Sequence, residues 1–242
     1  AAHLTSPTGG FGMNMGIQDS VDLSWKLDAC VNGWGGAHLL ESYTPERRPI
    51  AIRNVDEATG NLGRMRSPAE NKALLDDTAE GRAVRKRLGK EFSAAMTREW
   101  HTLGIHLGYR YDNSPVIVPD GTPTPPLDVM TYDQTARPGA RAPHVWLKAN
   151  PGEKPRSTLD LYGKGFVLLR LGKSPPMVDT IVAAAEERRV PLSVVALDED
   201  AVASAYERKL VLVRPDGFVA WRDDQPPPEP LKVIDRIRGA AA

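Results

Sequence analysis

Apolar positions recur at helical spacing in the first thirty residues of the chain. One row consists of Met13, Ile17, Val21 and Trp25, and a second row consists of Leu23 and Leu27. Apolar residues spaced three and four apart are typical of a helix that buries one face, and two such rows predict burial on more than one side. The pattern predicts an internal helix from residue 13 to about residue 31, which the glycine-rich stretch 32–36 then ends.

Two further helical stretches follow. Thr44 is placed as the N-cap of the second helix, with Pro45 at its first position and Glu46 in its first turn. Residues 68–100 carry mixed charges and predict one or two amphipathic helices. Their apolar positions at helical spacing are Leu74, Leu75, Val84, Leu88, Phe92 and Met96.

The pattern changes after Tyr109. Residues 112–130 are punctuated by prolines, with one short strand predicted at 116–118. Beyond this connector, short apolar runs predict strands at 157–163, 165–171 and 191–197 and a hairpin over 210–222 that turns at Asp216-Gly217. Helices are predicted at 177–189, 200–208 and 230–238.

The order of these predicted elements indicates an α/β fold. From residue 165 onward it is β-α-β-α-β-β-α, which implies a mixed sheet flanked by helices, with a right-handed crossover between the first two strands. We therefore expect a helical unit over residues 1–115, a connector over 116–136 and a mixed-sheet domain over 137–242.

Composition narrows the classes of function. The 242 residues carry 31 basic and 31 acidic side chains, so neither nucleic acid nor a membrane is an expected partner. Cys30 is the only cysteine, and His101 and His106 are too far apart to share a helix face, so no metal site is expected. We expect a cytoplasmic protein. The first residue is Ala1 rather than methionine, which suggests a processed chain or a fragment.

The glycine loop, residues 6–12, stands immediately before the first helix. Glycines at 9, 10, 12 and 16 allow a ligand to approach closely, and the N–H groups at the start of a helix attract negative charge. The spacing matches neither the dinucleotide fingerprint nor a Walker loop. Spacing alone therefore leaves two interpretations open, a ligand-binding loop and a flexible loop capped onto a buried helix.

Two segments resemble a known family. "AAHLTSPTGGFGMNMGIQDSVDLSWKL" and "LLESYTPERRPIA" are similar to the second flavin-binding segment of the FAD-dependent aromatic hydroxylases, in the phenol hydroxylase branch. The resemblance implies FAD as cofactor, NAD(P)H as reductant, O2 as co-substrate and a phenolic ring as substrate. It also implies that the amino-terminal Rossmann half, which holds the ADP part of FAD, lies upstream and is absent from these residues.

The resemblance also implies a set of cofactor-binding residues. Pro7 would lie beside the isoalloxazine ring, and Gly9, Gly10 and Phe11 along its edge. The backbone N–H groups of Gly12, Met13 and Asn14 would point at flavin N1 and the C2 carbonyl, where the reduced flavin is negatively charged. No side chain of the chain is expected to act as a catalytic acid or base.

The second half resembles the same branch. Residues 137–147, 157–171 and 210–222 are similar to its carboxy-terminal thioredoxin-like domain. A working thioredoxin needs C-x-x-C after the first core strand, and residues 172–177 read "GKSPPM" there. We therefore expect a redox-inactive domain.

Several polar residues near the loop are assigned ordinary structural roles. Asp19 and Asp22 are expected to be solvated or capping groups rather than a catalytic pair. His3 is a candidate for orienting the glycine loop, and Arg47 and Arg48 are expected to pair with a nearby carboxylate or carbonyl rather than a phosphate.

The leading hypothesis is the carboxy-terminal portion of an FAD-dependent aromatic hydroxylase, inactive in isolation. The alternative is a non-catalytic interaction or dimerisation module, including a homodimer, built on the thioredoxin-like domain. A third interpretation is a partial chain with no independent role.

Overall fold

The computed structural model describes residues 3–65, 72–149 and 152–241. Within these residues the helices are α1 (Phe11–Val31), α2 (Tyr43–Arg64), α3 (Ala79–Trp100), α4 (Leu103–His106), α5 (Asp179–Glu187), α6 (Asp200–Tyr206) and α7 (Pro230–Ile237). The strands are β1 (Phe166–Leu171), β2 (Leu192–Leu197), β3 (Leu210–Val213) and β4 (Val219–Asp223). The first residues of the helical prediction over 68–100, residues 68–71, lie outside the described residues.

Helix α1 begins two residues earlier than predicted and ends where predicted. Gly10 precedes its first turn with a φ of 66°, and Gly33 follows its last turn with a φ of 74°. Both conformations are left-handed and favour glycine. The predicted burial on more than one side is wrong for the described residues, because Met13 is 75% exposed and Ile17 and Val21 are about half exposed.

The starts of α2 and α3 show different capping. Ser42, not Thr44, stands at the N-cap position of α2, and its side chain makes no capping hydrogen bond. Pro49 lies inside α2, near its start. The hydroxyl of Thr78 accepts a hydrogen bond from the N–H of Gly81 at 3.0 Å and thereby caps α3.

The four strands form one mixed sheet in the order β2-β1-β3-β4. Strand β1 runs parallel to β2 and antiparallel to β3, and β3 pairs with β4 through the predicted hairpin. The predicted strand over 157–163 is wrong. Thr158–Leu161 form a 3-10 helix instead, because Ser157 and Asp160 make a capping box.

The predicted strand at 116–118 is also absent from the assigned elements. Val118 N–H donates to the Ala220 carbonyl at 2.9 Å, beside β4, but no continuous ladder forms there. Pro115 and Pro119 flank this stretch, and proline cannot donate to a ladder, so the pairing stops at single contacts.

One hydrophobic cluster joins the amino-terminal helices to the sheet. Trp25 on α1 and Trp34 after it pack on Phe166 of β1, with ring centroids 6.0 and 6.1 Å from the Phe166 ring. Side chains alternate along a strand, so Phe166 and Leu168 of β1 face this cluster. Val167 and Leu169 face a second hydrophobic cluster on the other side of the sheet. The helices and the sheet thus share a core.

No helix among the described residues is long and apolar enough to span a membrane.

Candidate functional site

The glycine loop is held in place from α2 and α3. Thr8 is buried, and its hydroxyl donates to the Ala58 carbonyl of α2 at 2.6 Å. The N–H of Gly9 donates to Oε1 of Glu99 on α3 at 2.9 Å. The N–H of Gly10 donates to the Pro7 carbonyl at 3.1 Å. The loop is therefore hydrogen-bonded to α2 and α3 and within itself.

The side chains in the first turn of α1, immediately after the loop glycines, point in different directions. Phe11 is buried in a cluster with Met15 and Ala58, and its ring meets the edge of the His106 ring at a centroid distance of 5.7 Å. Met13 points outward, and the Asn14 side-chain amide donates to the Gly10 carbonyl at 2.9 Å. Because the Phe11 side chain is buried, only its backbone could contact a ligand at the loop.

The start of α1 has the features of an anion-binding or carbonyl-binding site. The first N–H groups of a helix have no acceptor within the helix, and the helix dipole places partial positive charge there. A Cβ added at Gly10 or Gly16 would meet nothing within 4 Å, so open space lies beside the backbone at both positions. An oxygen or a ring nitrogen of a ligand can approach this end of the helix closely.

Asp19 lies behind the loop as the centre of a small network. His3 Nε2 lies 2.8 Å from Asp19 Oδ2, and Arg47 Nε donates to Asp19 Oδ1 at 2.7 Å. These three residues line a cleft of about 420 Å3 between α1 and α2. Arg47 thus pairs with a carboxylate as predicted, and His3 connects the start of the chain to α1. Asp19 is more enclosed than predicted.

A buried network of charged side chains ties α1 and α2 to the turn between β3 and β4. Lys26 Nζ donates to Asp22 at 2.8 Å and to Glu46 at 2.6 Å. The Arg214 guanidinium donates to Glu46 at 2.5 Å, to Asp22 at 3.1 Å and to Asp216 at 2.6 Å. The expectation that Asp22 is solvated is wrong, because Asp22 is buried beside these partners.

The network holds two cations and three carboxylates. Burial, followed by the charge of Glu46, raises the pKa of Asp22 to about 7. Burial would also raise the pKa of Glu46, but Arg214 and Lys26 lower it to about 2. Of the two carboxyls, Asp22 is therefore the one that takes up a proton first as the pH falls, while Glu46 stays ionised.

We expect the Asp22→Asn variant to lose a pH dependence that the wild-type chain has. Folded Asp22 keeps its proton up to about pH 7, whereas unfolded aspartate releases it near 3.8. The folded state then binds more protons between these values, so wild-type stability falls as the pH rises through that window. Asparagine cannot ionise, so this pH-dependent contribution disappears. Its single side-chain oxygen keeps one of the two hydrogen bonds that the Asp22 oxygens accept from Lys26 and Arg214, so the variant also loses some stability at every pH.

Urea unfolding at several pH values between about 4 and about 7 measures this difference. The control is Asp56→Asn on the exposed face of α2, which should keep the wild-type slope. An equal slope in Asp22→Asn and wild type would refute the assignment of the proton to Asp22.

Sequence reasoning missed both this network and Glu99. The spacing of Asp22 and Lys26, four residues apart on one helix, was a local signal for an ion pair. Nothing local connects either residue to Arg214. Among the described residues, no group of three or more His, Cys, Asp or Glu side chains could hold a metal ion.

Two family models match the chain. Residues 1–58 match the FAD binding domain, a range that contains the glycine loop, α1 and most of α2. Residues 135–241 match the aromatic-ring hydroxylase, C-terminal family, a range that contains the whole sheet.

Similar proteins are FAD-dependent monooxygenases. The FAD-dependent monooxygenase opdD of Penicillium oxalicum (strain 114-2 / CGMCC 5302) is 35% identical, and the match covers 91% of this chain and 43% of that protein. The 2,4-dichlorophenol 6-monooxygenase of Delftia acidovorans is 34% identical over 92% of this chain and 42% of its own length.

Solved structures that resemble this chain are also of flavin-containing enzymes. The rebeccamycin biosynthetic enzyme RebC with reduced flavin matches with a TM-score of 0.88 at 42% identity, covering 99% of this chain and 44% of that one. The flavin-dependent monooxygenase PieE in complex with FAD and substrate matches with a TM-score of 0.81 at 31% identity, covering 98% and 46%.

The matches therefore place the chain in the class of flavoproteins, and FAD is the cofactor that its matched domain binds. Within that class the chain is a homologue of the FAD-dependent aromatic-ring hydroxylases, as its resemblance predicted. The chain spans less than half the length of the relatives it matches.

Proposed function

We propose that this chain is the part of an FAD-dependent monooxygenase that contacts the isoalloxazine ring and completes the fold behind it. The complete enzyme would hydroxylate a phenolic ring with NAD(P)H and O2. The observation that carries the proposal is the fixed glycine loop at the start of α1, within the residues that match the FAD binding domain.

The residues at the start of α1 fit the pyrimidine end of a flavin. When bound, FAD supplies the two-electron chemistry that links NAD(P)H oxidation to activation of O2. The backbone N–H groups of Gly12, Met13 and Asn14 would bind N1 and the C2 carbonyl, with Pro7 and Gly9 to Phe11 along the ring. A helix N-terminus stabilises a nearby negative charge by about 0.3 to 1 kcal/mol, which favours the reduced cofactor.

An exposed apolar stripe on α1 supports a larger flavin-binding unit. Met13, Ile17 and Val21 lie about one turn apart on α1, and between 48% and 75% of each residue is exposed. Leu4, before the loop, is also exposed. Relatives are more than twice as long as this chain. We propose that an amino-terminal FAD-binding half packs on this stripe, and that the chain alone retains little FAD without it.

The sheet domain would serve as a structural unit. Its strand order, with a parallel pair followed by an antiparallel hairpin, supports a thioredoxin-like domain over residues 137–242, after a helical unit over 1–115 and a connector over 116–136. Residues 172–177 carry no cysteine, so thiol exchange is not part of the proposal.

The first test is to express the complete native gene, purify its protein product, and measure the intact mass and the visible absorbance of that protein. A yellow protein that oxidises NAD(P)H when phenols are added supports the proposal. A colourless species at the 26.4 kDa mass of this chain that cannot be loaded with FAD would refute it and favour an interaction module.

We expect the Gly10→Ala variant of that gene product to bind FAD about tenfold more weakly, since a methyl group would enter the space left for the ligand. Gly33→Ala is the matched control. Gly33 also has a left-handed φ, 74°, a Cβ added there would also meet nothing within 4 Å, and it lies at the far end of α1. Fluorescence titration with FAD measures the affinity, and equal losses in both variants would contradict a ligand at Gly10.

A further inference from the structure

Two buried polar atoms beneath the glycine loop have no hydrogen-bond partner within the part of the chain that the structure describes. They are Oε2 of Glu99 on α3 and Nδ2 of Asn61 on α2. Glu99 is only 9% exposed, and Asn61 is fully buried. A buried acceptor or donor without a partner destabilises a fold, so such atoms near a candidate site need a reason beyond packing.

The other oxygen of Glu99 is bound to the loop. Oε1 accepts the Gly9 N–H at 2.9 Å, and Gly9 has a φ of 79°. A hydrogen bond from a backbone N–H to a carboxylate is stronger than one to a neutral acceptor. Glu99 therefore holds Gly9, which lies just before the start of α1 where the N–H groups proposed to face the flavin stand.

The position of Glu99 is unfavourable for a purely structural carboxylate. Glu99 lies in the last turn of α3, where the helix dipole disfavours negative charge. The preceding residue, Arg98, does not pair with Glu99. Its guanidinium donates instead to the two carboxylate oxygens of Glu57 on α2, at 2.7 and 3.0 Å. Glu99 thus keeps one oxygen for the loop and leaves the other unpaired.

Asn61 packs against the same point of the loop. A Cβ added at Gly9 would lie 2.9 Å from Asn61 Nδ2 and 2.7 Å from the Phe11 ring. The side-chain oxygen Oδ1 of Asn61 accepts a hydrogen bond from the Arg64 guanidinium. The loop is therefore closed from below by Asn61 and Phe11, and Glu99 fixes its backbone.

We propose that Glu99 is a positioning residue for the flavin-contacting loop. Its carboxylate uses the Gly9 N–H and keeps Gly9 left-handed, so that the N–H groups after Gly10 are directed out of the start of α1. This inference rests on the proposed function for its purpose, but the contact between Glu99 and Gly9 can be tested without flavin.

The test uses the 242-residue chain and the Gly9 amide signal in NMR spectra. In the wild-type chain, hydrogen exchange at Gly9 should be slow, and the Gly9 amide proton should resonate downfield because its acceptor is a carboxylate. Glu99→Gln can still accept the hydrogen bond, so exchange should stay slow, while the Gly9 amide proton should move upfield because a neutral acceptor binds it more weakly. In Glu99→Ala, exchange should be faster by about tenfold or more.

Glu91→Gln and Glu91→Ala are the matched controls, because Glu91 is exposed on the same helix. They should leave Gly9 unchanged. A Gly9 amide that behaves alike in wild type, Glu99→Gln and Glu99→Ala would overturn the proposal. If Glu99→Ala does not fold, Glu99→Gln decides the proposal through the change in the Gly9 amide chemical shift, which a carboxylate without contact to Gly9 would not cause.

The second measurement is FAD affinity in the complete gene product. Glu99→Gln should keep the affinity within about threefold, and Glu99→Ala should lower it by about tenfold or more. Unchanged affinity in Glu99→Ala would overturn the positioning role. If the wild-type product binds no FAD, the proposed function fails, while the Gly9 signal still decides whether Glu99 holds the loop.

Discussion

We expect the Arg214→Met variant to unfold with a free energy about 3 to 5 kcal/mol below that of wild type. Arg214 is fully buried and donates to three carboxylates, those of Asp22, Glu46 and Asp216. Methionine fills a similar volume but leaves these groups with Lys26 as their only cation in the network. Removal of one partner leaves an uncompensated buried charge, which costs far more than the pair itself contributes.

Chemical denaturation followed by circular dichroism measures the loss. The matched control is Arg208→Met, because Arg208 is 40% exposed and its ion pair with Asp224 spans 3.5 Å. Exposed pairs contribute about 0 to 1 kcal/mol, so this variant should be close to wild type. If Arg214→Met were as stable as the control, the charged network would not contribute to holding α1 and α2 against the sheet.

The second large effect is expected for Phe166→Ala. Phe166 is fully buried at the start of β1, and its ring meets those of Trp25 and Trp34. Truncation of a buried phenylalanine costs about 3 to 5 kcal/mol through lost burial and the cavity that remains. Because the cluster joins α1 to the sheet, we expect helix and sheet signals to be lost at the same lower denaturant concentration.

Phe92→Ala is the control for this variant, since Phe92 is 53% exposed on α3. Its effect should stay within about 1 kcal/mol. Far-ultraviolet circular dichroism reports the helices, and tryptophan fluorescence reports the aromatic cluster. A fluorescence transition that shifts alone, with the helical signal unchanged, would show that the two parts unfold independently.

The sequence predicted the sheet well because its signals are local. The runs 165–171 and 191–197 are continuous and apolar, and Asp216-Gly217 marks the hairpin. Only the first of these runs becomes a strand buried on both faces, because β2 lies at the edge of the sheet and Val194 on it is 40% exposed. The prediction failed at 157–163, where side chains form hydrogen bonds with backbone N–H groups that a strand would need for pairing. Ser157 and Asp160 cap a 3-10 turn and so prevent the strand that the apolar residues around them indicated.

The candidate site was predicted only in part. The glycines and the helix start are visible in the sequence, and the structure places them together, but their role toward FAD stays a prediction. Glu99 and Arg214 could not be found in this way, because each meets its partner from a distant part of the chain. Asp22 carried a misleading signal, since an aspartate on a charged helix is normally solvated.

The aromatic cluster of Trp25, Trp34 and Phe166 has a consequence for how the chain can be divided. A protease that cuts only within residues 116–136 would leave both fragments attached to each other through this cluster and the buried charges around Arg214. Each fragment alone would expose large aromatic surfaces and unpaired charges to water. The chain would therefore persist as a nicked complex, and neither fragment is a suitable unit to express by itself.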